Sequence, residues 1–412
     1  MRKMKLFIII SLLAIAPLTL GAKNYYVSIN GKDGNPGSIN RPFRTISRAA
    51  EIMQAGDSCF IREGTYYETV RVKNSGRKGT AIVFSSYQDE KVIISGADPI
   101  ENWNRVDEHT FSTNYQWQTG VGKQMFIDQS LMKIARWPND HDDDLMTPNT
   151  AEMKEGGSNW FTVDSTFPDF RENDVNGSTV WMMSGMKWVS VASEVTGYHS
   201  GSGKIDFKEL PAGVRKYMTP IVEPGKYYLE GNKAFLDDMH EWVYEPDKNL
   251  ITVFLGDGAE FPGSRLQAKS RNYGIVITDK EYVEFHDIIL FACSAMLNKS
   301  DHCTLEGLRF EYFSYSDIAG GNYYLPGETG IILYGNDNTL RDSEIVYSNG
   351  AGIKISGNRN HIVNNYIHHI GYSGKENAIT GSGENCLISH NTIAYTGREG
   401  FDFSGPGSVI QY

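Results

Sequence analysis

The sequence predicts an all-β fold in which a parallel β-helix is interrupted by an inserted β-sandwich or barrel-like domain. Apolar anchors, each followed five residues later by a second apolar residue, recur at intervals of 22 to 35 residues in the C-terminal third. The anchors are Val283, Leu305, Leu340, Ile362, Ile388 and Ile410. Such a period is typical of a solenoid, and the repeats contain short alternating runs rather than helix-length apolar faces.

Each coil has a strand that a glycine closes, as in GIKISG (352–357), AITGSG (378–383) and GFDFSG (400–405). Because strand side chains alternate between faces, Ile353, Ile379 and Phe401 should stack in the core. The outward column is then Ile332, Lys354, Thr380 and Asp402. Asn365 and Asn391 fall at a sharp bend, which suits a residue that tolerates left-handed backbone.

Length and charge limit the organisation and the partners. The 412-residue chain exceeds the usual size of one domain, so two units are expected. A net charge of −11 and a pI of about 5.4 argue against nucleic acid or an anionic membrane as the partner.

Residues 1–22 have the pattern of a bacterial signal peptide. A basic start, MRKMK, precedes an apolar run, and Gly21-Ala22 provides a cleavage point. The run is shorter than a membrane helix requires. The sequence therefore predicts a secreted or periplasmic protein that keeps no membrane anchor after cleavage.

Four cysteines accompany this predicted export. Cys303 and Cys386 lie three predicted coils apart, about 14 Å at 4.8 Å per coil, which is too far for a disulfide. Cys293 could approach Cys303 only if the loops allow it. We interpret the cysteines as buried apolar residues.

Residues 23–98 should form the cap and the first coils. RPFRTISRAAEIMQAGD has helical periodicity at Ile46, Ala49, Ala50 and Met53, and this helix would cover the exposed end of the solenoid. Asp33 and Asp57 lie in glycine-rich turns, and we interpret them as turn residues rather than metal ligands. Residues 99–271 break the period and form the inserted all-β domain, and residues 272–412 resume the repeats.

Several segments resemble known families. The opening YYVSINGKDGNPGSINRPFRTISRAAEIMQAGDSCFIREGTYYE (25–68) resembles that of secreted, carbohydrate-active, right-handed parallel β-helix proteins. MFIDQSLMKIARWPN (125–139), the segment 227–255 and SRNYGIVITDKEYVEFHDI (270–288) resemble glycoside hydrolase family 141, and family 120 has a similar layout. The resemblance implies a right-handed β-helix with an inserted β domain, acting on a polysaccharide or oligosaccharide of plant or algal origin without a cofactor.

Asp402 is the principal catalytic candidate, because its flanking phenylalanines should face the core and leave it on the groove. Glu399 lies three residues before it, and Glu376 occupies the matching loop one coil earlier. Glycoside cleavage uses two carboxyl groups, about 5–5.5 Å apart for retention and roughly 6.5–9.5 Å for inversion. Arg398 would keep one carboxylate ionised.

Further substrate-binding candidates lie on the loops. The loop 310–330 carries Phe313, Tyr315, Tyr323 and Tyr324, whose rings suit sugar faces but would equally pack the loop against the inserted domain. His368 and His369 alternate across a strand, so at most one faces outward. No convergent set of zinc ligands is present in the pattern, and no metal site is predicted.

Lys354 supports an alternative function, that of a polysaccharide lyase that removes a proton beside a uronate carboxylate. A lyase of this kind would use Ca²⁺ or an arginine to neutralise that carboxylate, yet Ile332, Thr380 and Ser382 occupy the places of an acidic ladder. A second alternative is a non-catalytic glycan-binding β-helix.

The C-terminal coil gives a further expectation. SVIQY ends at the second strand of a coil, and the families that the chain resembles continue with further coils. A catalytic partner of Asp402 would lie about 22 residues beyond it by the period of this chain. The sequence is therefore interpreted as a C-terminally truncated, inactive form of such an enzyme or as a fragment of it.

Overall fold

A computed structural model describes residues 21–142, 144–185, 190–210, 212, 213, 215, 225–315, 330–372, 374 and 376–411. Three parallel sheets form a β-helix, and each coil contributes one short strand to each sheet. The predicted signal segment lies outside the described residues, except for Gly21 and Ala22. No helix in the described ranges is long and apolar enough to cross a membrane.

The three sheets are named here by their place in the coil. The anchor sheet consists of Asn24–Val27, Ser58–Ile61, Ile82–Ser86, Val283–His286, Thr304–Glu306, Thr339–Arg341, His361–Val363, Leu387–Ser389 and Val409–Gln411. The third sheet consists of Gly64–Tyr66, Val92–Ser95, Ile289–Phe291, Arg309–Glu311, Glu344–Ser348, Tyr366–Ile370 and Thr392–Thr396. The groove sheet consists of Val70–Arg71, Tyr273–Thr278, Ser294–Asn298, Ile331–Tyr334, Ile353–Ser356, Ile379–Ser382 and Phe401–Ser404.

The hydrogen-bond register confirms five of the six anchors. Leu305, Leu340, Ile362, Ile388 and Ile410 pair in succession. The first anchor was wrong by two residues, because Phe285 rather than Val283 faces Leu305. Both side chains are fully buried, so the alternation of buried and exposed residues is consistent with either one as the anchor. Only the backbone pairing identifies Phe285 as the residue that faces Leu305. Phe285 stacks on Phe84 of the preceding coil at 4.5 Å.

Asn365 and Asn391 do not themselves adopt the left-handed conformation expected at the bend. The left-handed residues are Asn364 and His390, each with φ +57°, one position before the predicted asparagines. Asn365 instead accepts a hydrogen bond from Ser343 N, and Asn391 accepts one from Asn365 N. The buried amides therefore form a ladder that joins successive coils.

The N-terminal cap agrees with the prediction. The helix Ile46–Ile52 begins after Thr45, whose hydroxyl accepts a hydrogen bond from Arg48 N, and it buries Ile46, Ala49 and Ala50. Asp33 and Asp57 accept backbone N–H groups of neighbouring turns, which confirms their structural interpretation. All four cysteines are free and buried.

The inserted domain contains a closed antiparallel barrel. Its strands, in order, are Ala151–Gly156, Trp160–Val163, Lys204–Phe207, Ser190–His199, Thr179–Met183 and Gly225–Glu230, and Arg136–Trp137 also pairs with the last of them. The barrel closes because Gly225–Glu230 pairs with both Thr179–Met183 and Ala151–Gly156. Its apolar core is separate from that of the β-helix. This confirms the barrel-like alternative of the prediction.

Two smaller sheets join the barrel to the β-helix. One consists of Lys133–Ile134, Glu241–Glu245, Leu250–Phe254, Thr110–Asn114 and Asn104–Arg105, and the other of Ser130–Leu131, Met125–Ile127, Leu266–Lys269 and Ala97–Pro99. Short helices are Glu172–Val175, Lys233–Phe235, Pro246–Lys248 and Gly263–Arg265. Phe126 packs on Phe291 at 4.8 Å, so this second sheet rests on the outer face of the third sheet.

Candidate functional site

The outward column of the groove sheet lies where the alternation predicts. Lys354 pairs with Thr380, and Thr380 pairs with Asp402, so the three residues occupy successive coils about 4.8 Å apart. Asp402 is exposed, as expected for a residue that faces the groove. Phe401 follows Ile379 in the inward column but is 49% exposed, because its strand is the last of the sheet.

Glu376 lies on the loop that enters this sheet. The loop turns at Gly371 with φ +68°, where a Cβ would come within 2.9 Å of the carbonyl oxygen of Glu376. Burial raises the pKa of the Glu376 carboxyl, and the nearby Lys354 and Arg398 act in the opposite direction. The structure thus brings together three of the predicted residues, a partly buried acid and two cations.

Glu399 has a different environment from Glu376. Its side chain is 52% exposed, and its carboxylate lies 3.8 Å from the guanidinium of Arg398. Its backbone N–H donates to Oδ1 of the buried Asn377, which holds the two loops in register. Glu376 is instead partly buried, and this burial raises the pKa of its carboxyl.

The two histidines lie on the third sheet, away from the column of Asp402. His368 is 8% exposed, stacks on Tyr366 at 4.0 Å and has Nε2 3.2 Å from a carboxylate oxygen of Glu344. Its Nδ1 lies 2.7 Å from Nδ1 of His369. Burial lowers the pKa of His369, His368 acts in the same direction, and Asp144 of the inserted domain opposes both.

Four aromatic residues stack along the outer corner of the third sheet in left-handed backbone conformations. Tyr312, Tyr347, His369 and Tyr395 have φ between +50° and +58°. Ring centroids are 4.9 Å apart for Tyr312 and Tyr347, and 4.8 Å apart for His369 and Tyr395. Non-glycine residues rarely adopt this conformation, and the stacking across coils offsets its cost. His369 is therefore part of a structural ladder.

The described aromatic residues of this loop, Phe313 and Tyr315, lie in different environments. Phe313 is 1% exposed and packs on Phe310, so of the two alternatives left open for it, packing rather than sugar binding applies. Tyr315 lines a cavity against the inserted domain, and its carbonyl oxygen lies where a Cβ at Gly122 would clash. Tyr323 and Tyr324 lie outside the described residues.

Two adjoining cavities lie between the inserted domain and the β-helix. The larger has a volume of about 840 Å³ and is lined by residues 140–142 and 146–150, by Trp181 and Lys226 of the barrel, and by Gly371 and Gly397 of the β-helix. The smaller has a volume of about 110 Å³. Asp140, Pro148 and Tyr372 line both.

Sequence reasoning missed the polar residues of the smaller cavity. Among them are Gln124, Lys133, Arg136, Asp140, Glu230 and Tyr372. Arg136 and Asp140 form an ion pair at 3.2 Å, with both side chains 8% exposed. The Arg136 guanidinium also lies 3.9 Å from the ring centroid of Tyr228. The segments 125–139 and 227–255, which carried the family resemblance, contain Lys133, Arg136 and Glu230.

The described coils of the groove do not provide a calcium site suited to a lyase. Their outward column contains one carboxylate, Asp402, which follows Ile332, Lys354 and Thr380, whereas Ca²⁺ takes six to eight oxygen ligands. Within the described ranges, no group of three or more His, Cys, Asp or Glu side chains could hold a metal ion. No step that requires bound Ca²⁺ is derived for this chain.

Family models match two parts of the chain. Residues 294–411 match the model of a right-handed β-helix region, and residues 29–73 match that of a protein of unknown function (DUF1565). A solved structure described as a glycoside hydrolase aligns with 94% of this chain and 96% of its own, at a TM-score of 0.52 and 11% identity. That likeness concerns the fold. The fold is a right-handed parallel β-helix with an inserted barrel.

Two sequence relatives align with shorter stretches. The uncharacterized protein YwoF of Bacillus subtilis (strain 168) is 51% identical over 77 residues, which is 18% of this chain and 16% of the relative. The pectate lyase PEL9 of Emericella nidulans is 34% identical over 87 residues, 21% of each. The chain thus spans about a fifth or less of the length of these relatives.

Proposed function

We propose that this β-helix protein is carbohydrate-active and hydrolyses glycosidic bonds of a plant or algal polysaccharide after export through its N-terminal signal. The observation that carries the proposal is the environment of Glu376, a partly buried carboxyl of raised pKa beside Lys354 and Arg398. The similarity of segments to glycoside hydrolase family 141 supports the same reaction class.

In this mechanism Glu376 is the general acid and Asp402 is the base or nucleophile. A raised pKa keeps more of the Glu376 carboxyl protonated near neutral pH, as proton donation to a leaving oxygen requires. Asp402, exposed on the groove sheet, would act from the neighbouring coil on water or on the anomeric carbon. Lys354 and Arg398 would hydrogen-bond substrate hydroxyl groups and stabilise the Glu376 carboxylate after it donates its proton.

The proposal is tested with soluble polysaccharides such as arabinoxylan, arabinogalactan and homogalacturonan in heavy-oxygen water. A hydrolase releases saturated products whose new reducing end carries one oxygen from water. Asp402→Asn and Glu376→Gln should each lower the rate about 100-fold to 10,000-fold. Glu399→Gln should have a small effect, and Glu384→Gln, an exposed carboxylate of the same coil, serves as the matched control. Full activity of Asp402→Asn would refute the assignment.

A lyase is the second candidate, and Lys354 favours it. This lysine lies in the outward column near Glu376, and the pectate lyase PEL9 is a partial sequence relative. In that reaction Lys354 would remove the proton beside a uronate carboxylate, and Arg398 would neutralise the carboxylate. The products would then absorb ultraviolet light and contain no oxygen from water. Binding without either product would indicate a glycan-binding protein.

A further inference from the structure

The buried amide of Gln124 lies at the junction of the inserted domain and the β-helix. The residue is 1% exposed and directly precedes the strand Met125–Ile127. Neither its amide nitrogen nor its amide oxygen has a hydrogen-bond partner among the described residues. An unpaired buried polar group is destabilising, so such groups usually contact water or a ligand.

A second shielded polar group comes from the opposite side of the junction. Tyr372 follows the strand Tyr366–Ile370 of the third sheet, and its buried hydroxyl lies beside the Gln124 amide without a well-aligned hydrogen bond within the described part of the chain. Burial raises the pKa of this phenol, and the neighbouring Gln124 amide acts in the opposite direction. Gln124 and Tyr372 therefore bring polar groups from two structural units to the same small cavity.

The other walls of the smaller cavity combine donors, acceptors and aromatic surface. Lys123, Lys133 and Arg136 present cationic donors, and Asp140 and Glu230 present carboxylate acceptors. Aromatic walls are formed by Tyr228, Trp242, Tyr315 and Tyr372. Mixed charge gives little preference for an ion of either sign, whereas hydroxyl groups can both donate to and accept from such a wall.

The volume of the smaller cavity suits a single sugar ring. Its 110 Å³ corresponds to roughly eight water positions at about 13 Å³ each. The larger cavity of about 840 Å³, which shares Asp140, Pro148 and Tyr372 with it, has room for further sugar residues. Gly371, which packs against the backbone of Glu376, lines that larger cavity.

We propose that the smaller cavity binds one neutral sugar residue at the end of a saccharide, with Gln124 and Tyr372 hydrogen-bonded to its hydroxyl groups. The remaining saccharide would extend into the larger cavity between residues 146–150 and the β-helix. This binding site does not depend on the cleavage reaction proposed above, because none of its residues is one of the proposed catalytic carboxyls.

Binding is measured by calorimetry and tryptophan fluorescence with D-xylose, D-galactose, L-arabinose and L-rhamnose, and with D-galacturonate as the charged comparison. We expect at least one neutral sugar to bind, and more tightly than galacturonate. Tyr372→Phe removes only the hydroxyl and should weaken binding about fivefold to tenfold, the equivalent of one hydrogen bond. Gln124→Met should weaken it further.

Tyr227→Phe is the matched control, since the Tyr227 hydroxyl is also buried and unpaired but belongs to the barrel core. It should leave sugar binding unchanged. Melting temperatures show that each variant is folded. The proposal is overturned if no neutral sugar binds, if galacturonate binds best, or if Tyr372→Phe binds as tightly as the wild type. Asp402→Asn should bind normally, so failure of the hydrolase proposal and failure of this one remain distinguishable.

Discussion

Oδ1 of Asn377 accepts a hydrogen bond of 3.1 Å from the backbone N–H of Glu399 in the next coil. The carbonyl oxygen of Asn377 accepts another, of 3.2 Å, from Gly352 N of the preceding coil. Three consecutive loops are thereby joined directly before they enter the groove sheet. Glu376 and Arg398, which precede Asn377 and Glu399, are held on neighbouring coils as a result.

Asn377→Ala removes the hydrogen bond between Oδ1 of Asn377 and the backbone N–H of Glu399. Because Asn377 is 6% exposed, the unpaired N–H of Glu399 should lower the free energy of unfolding by about 1–2 kcal/mol. Hydrolysis should fall more than stability explains, since Arg398 loses its fixed position beside Glu376. Urea denaturation and initial rates measure the two effects. Asn104→Ala, at an exposed position of the inserted domain, is the control. Equal free energies of unfolding and equal rates of hydrolysis in the two variants would contradict the prediction.

Lys354→Met should change the pH dependence of hydrolysis. Lys354 lowers the pKa of Glu376 against the effect of burial, so its removal raises that pKa further. If Glu376 is the general acid, the basic limb of the kcat/KM profile moves to higher pH. Lys91→Met, an exposed lysine of an early coil, should leave the profile unchanged. A shift toward lower pH would exclude Glu376 as the acid.

Asn365→Ala should be strongly destabilising. The Asn365 amide is 2% exposed, accepts from Ser343 N and donates to both Leu340 O and Asn391 Oδ1. Three hydrogen bonds across neighbouring coils are lost, so we expect a decrease of about 2–4 kcal/mol in the free energy of unfolding, measured in urea. A loss below about 0.5 kcal/mol would show that the ladder contributes little.

The stability of the protein should fall as pH rises from about 5 to 7 because of Glu241. Burial raises the pKa of this carboxyl to about 7, against hydrogen bonds from the N–H groups of Arg136, Asp237 and Asp238. The unfolded carboxyl ionises near its ordinary value of 4.5, so between the two values the folded state binds more protons. Raising the pH through this window therefore lowers the free energy of unfolding, by up to about 3 kcal/mol.

Glu241→Gln tests whether Glu241 causes the predicted pH dependence of the free energy of unfolding. The variant should show a shallower decrease between pH 5 and 7 in urea titrations, because the group no longer titrates. It should be less stable than the wild type at low pH, since an amide nitrogen cannot accept the N–H groups of Asp237 and Asp238. An unchanged slope would show that another group titrates.

The repeat architecture could be predicted because each coil carries a local pattern of its own. Alternation within GIKISG and its equivalents placed Lys354, Thr380 and Asp402 on one face, and the register confirms that column. The same pattern failed at Val283, where two inward residues two positions apart satisfied the alternation equally. Periodicity identifies a face, whereas hydrogen-bond pairing decides which residue meets which.

Short-range periodicity and turn residues were sufficient to predict the β-helix, the N-terminal helix, the barrel-like insertion and the outward position of Asp402. The surroundings of Glu376, the burial of His368 against Glu344 and the cavity shared by Gln124 and Tyr372 became apparent from the folded structure. The first two environments arise between neighbouring coils of the β-helix, and the third arises where the inserted domain packs on the β-helix. Burial and electrostatic environment at these sites depend on residues far apart in the chain, so a local sequence pattern does not predict them.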